Sequence, residues 1–156
     1  MKKKIADNKI CVVCGKYSKN FLCGRHRKRF IYYKDHNIIG LKARRKISKP
    51  QTKVFRMVRD EFRKPTFQEV VFPWNLFFRY DIGVPDIKLI VEYDSKLHFE
   101  YNEHFHKTKK NFKRRQQIDV DKENIAKDHD YKVLRINYKD KDKDIKDKIK
   151  WMKKKL

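Results

Sequence analysis

Residues 79–94 read RYDIGVPDIKLIVEYD. Two runs rich in β-branched and aromatic residues flank a proline-containing turn, the pattern of a β-hairpin. Side chains alternate along a strand, so Glu92 and Asp94 share one face with Ile90, while Leu89, Val91 and Tyr93 share the other. With the turn near Pro85, Asp81 stands opposite or diagonal to Glu92. Cross-strand neighbours lie about 4.5–5.5 Å apart, and like charges that close repel unless a cation lies between them. Spacing alone leaves two readings open. The acids hold Mg²⁺, which often uses one or two carboxylates and keeps several waters, or they pair with the chain's many Lys and Arg. His98, just past the strand end, is placed to act as general acid or base.

The pattern continues outward. Val54, Phe55, Val58 and Phe62 recur at helical spacing, with Ser48 as N-cap and Pro50 near the first helical position. TFQEVVF (66–72), LFFRYDIGV (76–84), KLIVEYD (88–94) and YKVLRINY (131–138) read as strands. Between the last two, residues 107–127 read as a long helix. The order α-β-β-β-α-β predicts a mixed α+β domain, a small sheet flanked by helices. Ile145, Ile149, Met152 and Leu156 predict a short amphipathic helix at the end.

The chain has 156 residues, with 43 Lys and Arg against 20 Asp and Glu, a formal net charge of +23. Such an excess costs folding energy through self-repulsion, which a polyanionic partner relieves. Nucleic acid is the expected partner, double-stranded DNA first, and an anionic membrane surface is the alternative. Arg25, Arg27, Lys28 and Arg29, with Arg44, Arg45 and Lys46, are the candidate phosphate contacts. No run approaches the ~20 apolar residues of a membrane span. The basic start MKKKIADNKI has no apolar segment of the kind a secretion signal needs. An intracellular protein with no membrane partner is therefore expected.

CVVCGKYSKNFLCGRH (11–26) places Cys11, Cys14, Cys23 and His26 in the spacing C-x2-C-x8-C-x2-H. Two pairs of ligands, each two residues apart, close a tetrahedron around one structural Zn²⁺. An odd number of cysteines and the lack of a secretion signal argue against disulfides. These features divide the chain into a zinc-finger unit (1–36), a basic linker (37–50), a core (51–139) and a basic amphipathic tail (140–156).

The segment RYDIGVPDIKLIVEYDSKLHF (79–99) resembles the very-short-patch-repair (Vsr)-like branch of the PD-(D/E)xK nucleases, and RRQQIDVDKENIAKDHDYKVLRI (114–136) resembles that branch's second helix and last strand. The resemblance covers about residues 48–139. It implies a restriction-endonuclease-like sheet and metal-dependent hydrolysis of DNA phosphodiesters, with Mg²⁺ or Mn²⁺ as cofactor. It maps Asp81 to the metal-binding aspartate, Glu92 and Asp94 to the acidic strand end, and His98 to the histidine. Arg115, Asp119 and Lys122 match a supporting Arg-x3-Asp-x2-Lys spacing. Ser95 stands where the branch has glycine, and Gln51 where it often has glutamate, with Glu61 as a further acid on the same helix. The finger ahead of the core resembles those of small phage-type and homing endonucleases. The alternative is a non-catalytic, zinc-containing nucleic-acid-binding protein on the same scaffold, for which Gln51 is the best support. One such core nicks one strand, so double-strand cutting implies a dimer or two sequential nicks.

Overall fold

The computed structural model describes residues 9–42 and 47–156. A small hairpin of β1 (Lys9–Ile10) and β2 (Tyr17–Ser18) leads into a single helical turn, α1 (Gly24–Arg27). Six strands then form one sheet: β3 (Phe30–Tyr33), β4 (Ile38–Leu41), β5 (Phe67–Phe72), β6 (Asn75–Val84), β7 (Leu89–Asp94) and β8 (Lys132–Asn137), in sequence order. Neighbours are antiparallel from β3 to β7, and β8 runs parallel to β7. A parallel pair needs a crossover. Here α2 (Lys49–Phe62) precedes β5, while α3 (Lys96–Phe99), α4 (Glu103–His106) and α5 (Lys109–Asp128) connect β7 to β8, and α6 (Asp142–Lys155) follows.

Local chemistry sets the helix ends. The Ser48 hydroxyl accepts the Gln51 amide at 3.2 Å, and Pro50 occupies the first turn, where its missing N–H costs nothing. Thr108 caps α5 in the same way, accepting the Asn111 amide at 3.1 Å. Val54 and Val58 of α2 and Ile145, Ile149 and Met152 of α6 pack on Ile82, Val84, Leu89, Val91, Leu134 and Ile136. On the other face, Ala126 of α5 packs with Ile38, Val70, Phe72, Tyr80 and Ile90. The sheet is thus covered by helices on both faces, which is why the β7 run is almost continuously apolar.

The mixed α+β class, the four expected strands, the capped first helix and the terminal amphipathic helix all appear. The stretch read as a linker does not remain one throughout. Ile38–Leu41 forms β4, with Ile38 and Ile39 fully buried between β3 and β5. The basic residues after it masked a short strand. Gly40 gives the Tyr33 ring its place: a Cβ would meet Cε2 of Tyr33 at 2.8 Å and the ring would have to shift. Arg44, Arg45 and Lys46 lie outside the described residues. Among the described residues, no helix is long and apolar enough to cross a membrane.

Candidate functional site

The β6–β7 ladder runs from Val84 opposite Leu89 to Ile82 opposite Val91. One position on, side chains take over the bonding. The Asp81 amide donates to Glu92 Oε1 at 3.3 Å, and Asp81 Oδ2 accepts the Tyr93 amide at 2.9 Å. On β5, Glu69 lies between Gln68, opposite Ile82, and Val70, opposite Tyr80, so it faces Asp81. On β8, Arg135 stands in register with Glu92. Glu69, Asp81, Glu92 and Arg135 therefore stand at one level across four strands, a row in which Glu69 reaches α2 through Gln51 and Glu92 reaches α5 through Lys122.

The row is rich in negative charge. Lys122 of α5 donates to Glu92 Oε2 at 3.0 Å, its ammonium 5.0 Å from the centre of the Tyr80 ring. Burial pushes the Glu92 carboxyl up to about 7, with Lys122 opposing and Asp81 adding to the rise. Asp81 is also raised, chiefly by burial; the Tyr93 amide and Lys122 pull it down and Glu69 pushes it up. Among the described residues no Lys or Arg forms an ion pair with Asp81. Two adjacent carboxylates thus share one cation.

Beyond the strand end lies a second group. Arg135 grips buried Asp94 with two nitrogens, Nε donating to Oδ2 at 2.7 Å and Nη2 to Oδ1. His98 Nδ1 lies 2.9 Å from Asp119 Oδ2 and 3.7 Å from Asp94 Oδ1. The hydrogen bond to Asp119 raises the His98 pKa against the opposing effect of burial. Burial pushes Asp119 up, but the hydrogen bond and charge of His98 outweigh it and hold Asp119 low. His98 and Asp119 open into a cleft of about 280 Å³ lined also by Phe112, Arg115 and Gln116.

The N-terminal unit gathers Cys11, Cys14, Cys23 and His26, whose ligand atoms all lie within 4.8 Å of one another. His26 Nδ1 is 3.4 Å from Cys11 Sγ and 3.3 Å from Cys23 Sγ, and the Cys14 and Cys23 sulfurs are 4.0 Å apart. A tetrahedral ion with Zn–S bonds of about 2.3 Å has edges of about 3.8 Å, close to these separations. Burial works to raise the Cys11 thiol, but backbone N–H groups of Cys23, Val13 and Cys14 help bring it down to about 6, favouring the ligating thiolate. Among the described residues no other group of three or more His, Cys, Asp or Glu is gathered as closely. Beside it, Arg25, Arg27 and Lys28 line an open cleft with Gly24 and Lys42, and Arg29 is exposed on the same unit.

No protein-family model, curated protein or solved structure matches this chain. Its site is therefore read from its own geometry.

That geometry brings together Asp81, Glu92 and Lys122, and separately Asp94, His98 and Asp119, with Arg115 at the rim. Gln51, buried in the first turn of α2, donates from Nε2 to Glu69 Oε1 at 2.7 Å. It reaches the row through Glu69. Glu61 is engaged elsewhere: its carboxylate takes Lys153 of α6 at 3.0 Å. Sequence reasoning missed Glu69 and Arg135. Each had a signal, a lone charged residue inside an apolar strand, in TFQEVVF and VLRI.

Proposed function

We propose that this protein is a metal-dependent DNA endonuclease that hydrolyses phosphodiester bonds. The observation that carries the reading is the pair of half-buried Asp81 and buried Glu92, set where two strands part, with Lys122 on Glu92 and, among the described residues, no cation on Asp81. The donor set suits Mg²⁺ or Mn²⁺, which take one or two carboxylates and share the rest of their shell with water and phosphate. Asp81 and Glu92 are the residues to hold it. A divalent ion there supplies charge neutralisation for the phosphate and acidifies a bound water.

The chain's own residues supply the rest. His98, hydrogen-bonded to Asp119 and half-exposed at the cleft, accepts or donates a proton at Nε2. Arg135 neutralises Asp94, so Asp94 acts by orienting the His98 side of the site. Lys122 fixes Glu92. The succession α2-β5-β6-β7-α5-β8, with three antiparallel strands and a fourth parallel to the third, accords with the restriction-endonuclease-like core the sequence resemblance implies. The Cys3His unit takes a structural Zn²⁺, and its arginines and Lys28 contact DNA phosphates. Intracellular location follows from that substrate.

A second reading, a nucleic-acid-binding protein without catalysis, is favoured by Gln51, which brings no charge to the row. Plasmid DNA incubated with and without Mg²⁺, using wild type and Asp81→Ala, tests the choice. Mg²⁺-dependent nicking or linearisation that Asp81→Ala abolishes is expected. Binding without cleavage by the wild type under all divalent ions overturns the enzyme reading.

A further inference from the structure

Among the described residues, six non-glycine residues have left-handed backbones, and five of them sit at the ends of helical turns. The exception is Glu69, with φ 53° in the middle of β5. A left-handed residue inside a strand is strained and persists only where its surroundings over-determine it. Here the surroundings are polar. The Glu69 carboxylate takes Gln51 Nε2 on one oxygen at 2.7 Å, and its other oxygen lies 2.5 Å from Arg79 Nε. Glu69 is largely buried, whereas the Arg79 side chain is 39% exposed.

Arg79 is placed unusually for a surface arginine. It lies two residues before Asp81 on the same strand, about 7 Å along the chain. Its closest approach to Glu69 is through Nε, the inner nitrogen. Among the described residues, its terminal nitrogens make no hydrogen bond and no ion pair with any other acid. The other two cations of the site are committed, Lys122 to Glu92 and Arg135 to Asp94. A guanidinium held by its inner edge presents its outer pair of N–H groups as a fork, which matches two oxygens of a phosphate.

We propose that Arg79 is a phosphate-binding arm beside the Asp81–Glu92 pair, and that Glu69, braced by Gln51, is its positioning residue. The ligand is a phosphodiester of the DNA backbone, so the inference rests on the function proposed above. It gives Gln51 a role that needs no charge: it orients the carboxylate that orients Arg79. The strained backbone of Glu69 turns its side chain out of the ladder toward both partners.

The test uses the full-length, zinc-loaded protein and a duplex oligonucleotide. Wild type, Arg79→Ala, Glu69→Gly and the double variant are compared in equilibrium binding at several salt concentrations and in Mg²⁺-dependent cleavage. Arg79→Ala is expected to weaken binding about ten- to hundredfold, the range of one charge-assisted contact. It should also reduce the slope of log K against log salt by about one. Glycine tolerates a left-handed backbone, which offsets part of the loss of the Gln51 partner, so Glu69→Gly should stay folded while reproducing part of the Arg79 defect. In the Arg79→Ala background Glu69→Gly should add nothing, because it acts through Arg79. Arg79→Ala with a wild-type affinity and salt slope overturns the proposal. So does a Glu69→Gly binding defect that persists undiminished without Arg79. The binding measurements stand even if the wild type does not cleave, so failure of the enzyme reading and failure of the arm are told apart.

Discussion

Glu92 and Lys122 form, at 3.0 Å, the one ion pair that reaches the adjacent acids Asp81 and Glu92 among the described residues. Among the described residues, the second carboxylate is held only by the Tyr93 amide. Buried like charges with one counter-ion destabilise the metal-free fold. Asp81→Asn keeps an acceptor for the Tyr93 amide and removes the charge. It should raise the melting temperature without metal, tighten DNA binding and lower cleavage by roughly 10²-fold or more. Asp81→Ala loses that acceptor as well, at a cost of about 1–3 kcal/mol for the amide left unpaired, and should be the less stable of the two. Thermal melts and cleavage rates check the pair. An Asp81→Asn protein that is destabilised yet fully active sinks the active-site assignment.

The same imbalance sets a pH dependence. The Glu92 carboxyl has a value of about 7 in the fold against 4.5 ordinarily, so the native state binds the extra proton. Stability is then highest below the ordinary value and falls as pH rises through about 7, by on the order of 3 kcal/mol in full. The raised His98 acts in the same direction: its contribution is present below its ordinary 6.5 and is lost as pH rises through its folded value. The lowered Asp119 has the opposite sign, but its window lies below 3.8; the lowered Cys11 thiol also has the opposite sign, between about 6 and 9, so the comparison is made with zinc on its ligands. In the zinc-loaded protein without Mg²⁺, melting temperature should therefore be higher at pH 5.5 than at pH 8. Mg²⁺ should stabilise more at pH 8, where Glu92 is ionised. A melting temperature of the zinc-loaded, Mg²⁺-free protein that rises from pH 5.5 to 8 contradicts the account.

Asp119 offers a sharper test of the proton-carrying role. Its hydrogen bond is the main cause of the raised His98 value. Asp119→Asn should lower the His98 pKa, seen directly by NMR titration, and shift the low-pH limb of the cleavage profile toward acid. His98→Ala should slow cleavage by ~10²–10⁴. An unmoved His98 titration in Asp119→Asn refutes the dyad.

The strands and the acids were legible because each rests on a local rule. Alternation in KLIVEYD put Glu92 and Asp94 on one face, and Pro85 placed the turn that brings Asp81 to Glu92. The partners of those acids were legible only in part: the resemblance named Lys122, which meets Glu92, but did not name Arg135. Arg135 meets Asp94 only because β8 runs parallel to β7, with Asp94 in register with Asn137 and Glu92 with Arg135, a choice no short window encodes. Glu69 joins the row through a left-handed backbone, against the propensity of its own segment. β4 was hidden because its apolar run is three residues deep and is followed by a basic stretch. Tertiary pairing with β3 and β5 stabilises it; local propensity does not.

The charge distribution predicts how DNA affinity responds to salt. Arg25, Arg27, Lys28 and Lys42 converge on one cleft, on a chain of net charge +23. If binding engages 6–10 phosphates, affinity should drop by about 10³–10⁵ between 50 and 200 mM salt. Fluorescence anisotropy with a labelled duplex measures it. A response flat over that range removes the basic surface from the binding account.

The last prediction concerns what the N-terminal unit needs in order to fold. Among its described residues before β3, only Cys11 and Leu22 are buried. So small an apolar core cannot offset the entropy of ordering some twenty residues, and such units depend on a staple. A Zn²⁺ on Cys11, Cys14, Cys23 and His26 supplies it, because binding energy to a site absent from the unfolded chain is folding energy. The core between α2, α6 and the sheet shares no residue with this unit and should survive without it. β3 is the link: it follows α1 closely and pairs with β4. Cys23→Ser, or a chelator, should therefore abolish amide protection in residues 11–29 and weaken it in β3. Protection should persist in Val54–Val58, Ile82–Val91 and Leu134–Ile136. Metal analysis of the wild type should give one Zn²⁺ per chain, and hydrogen exchange with mass spectrometry reads the rest. Protein purified without chelator that carries no zinc yet protects residues 11–29 would show that the four ligands are held by packing alone.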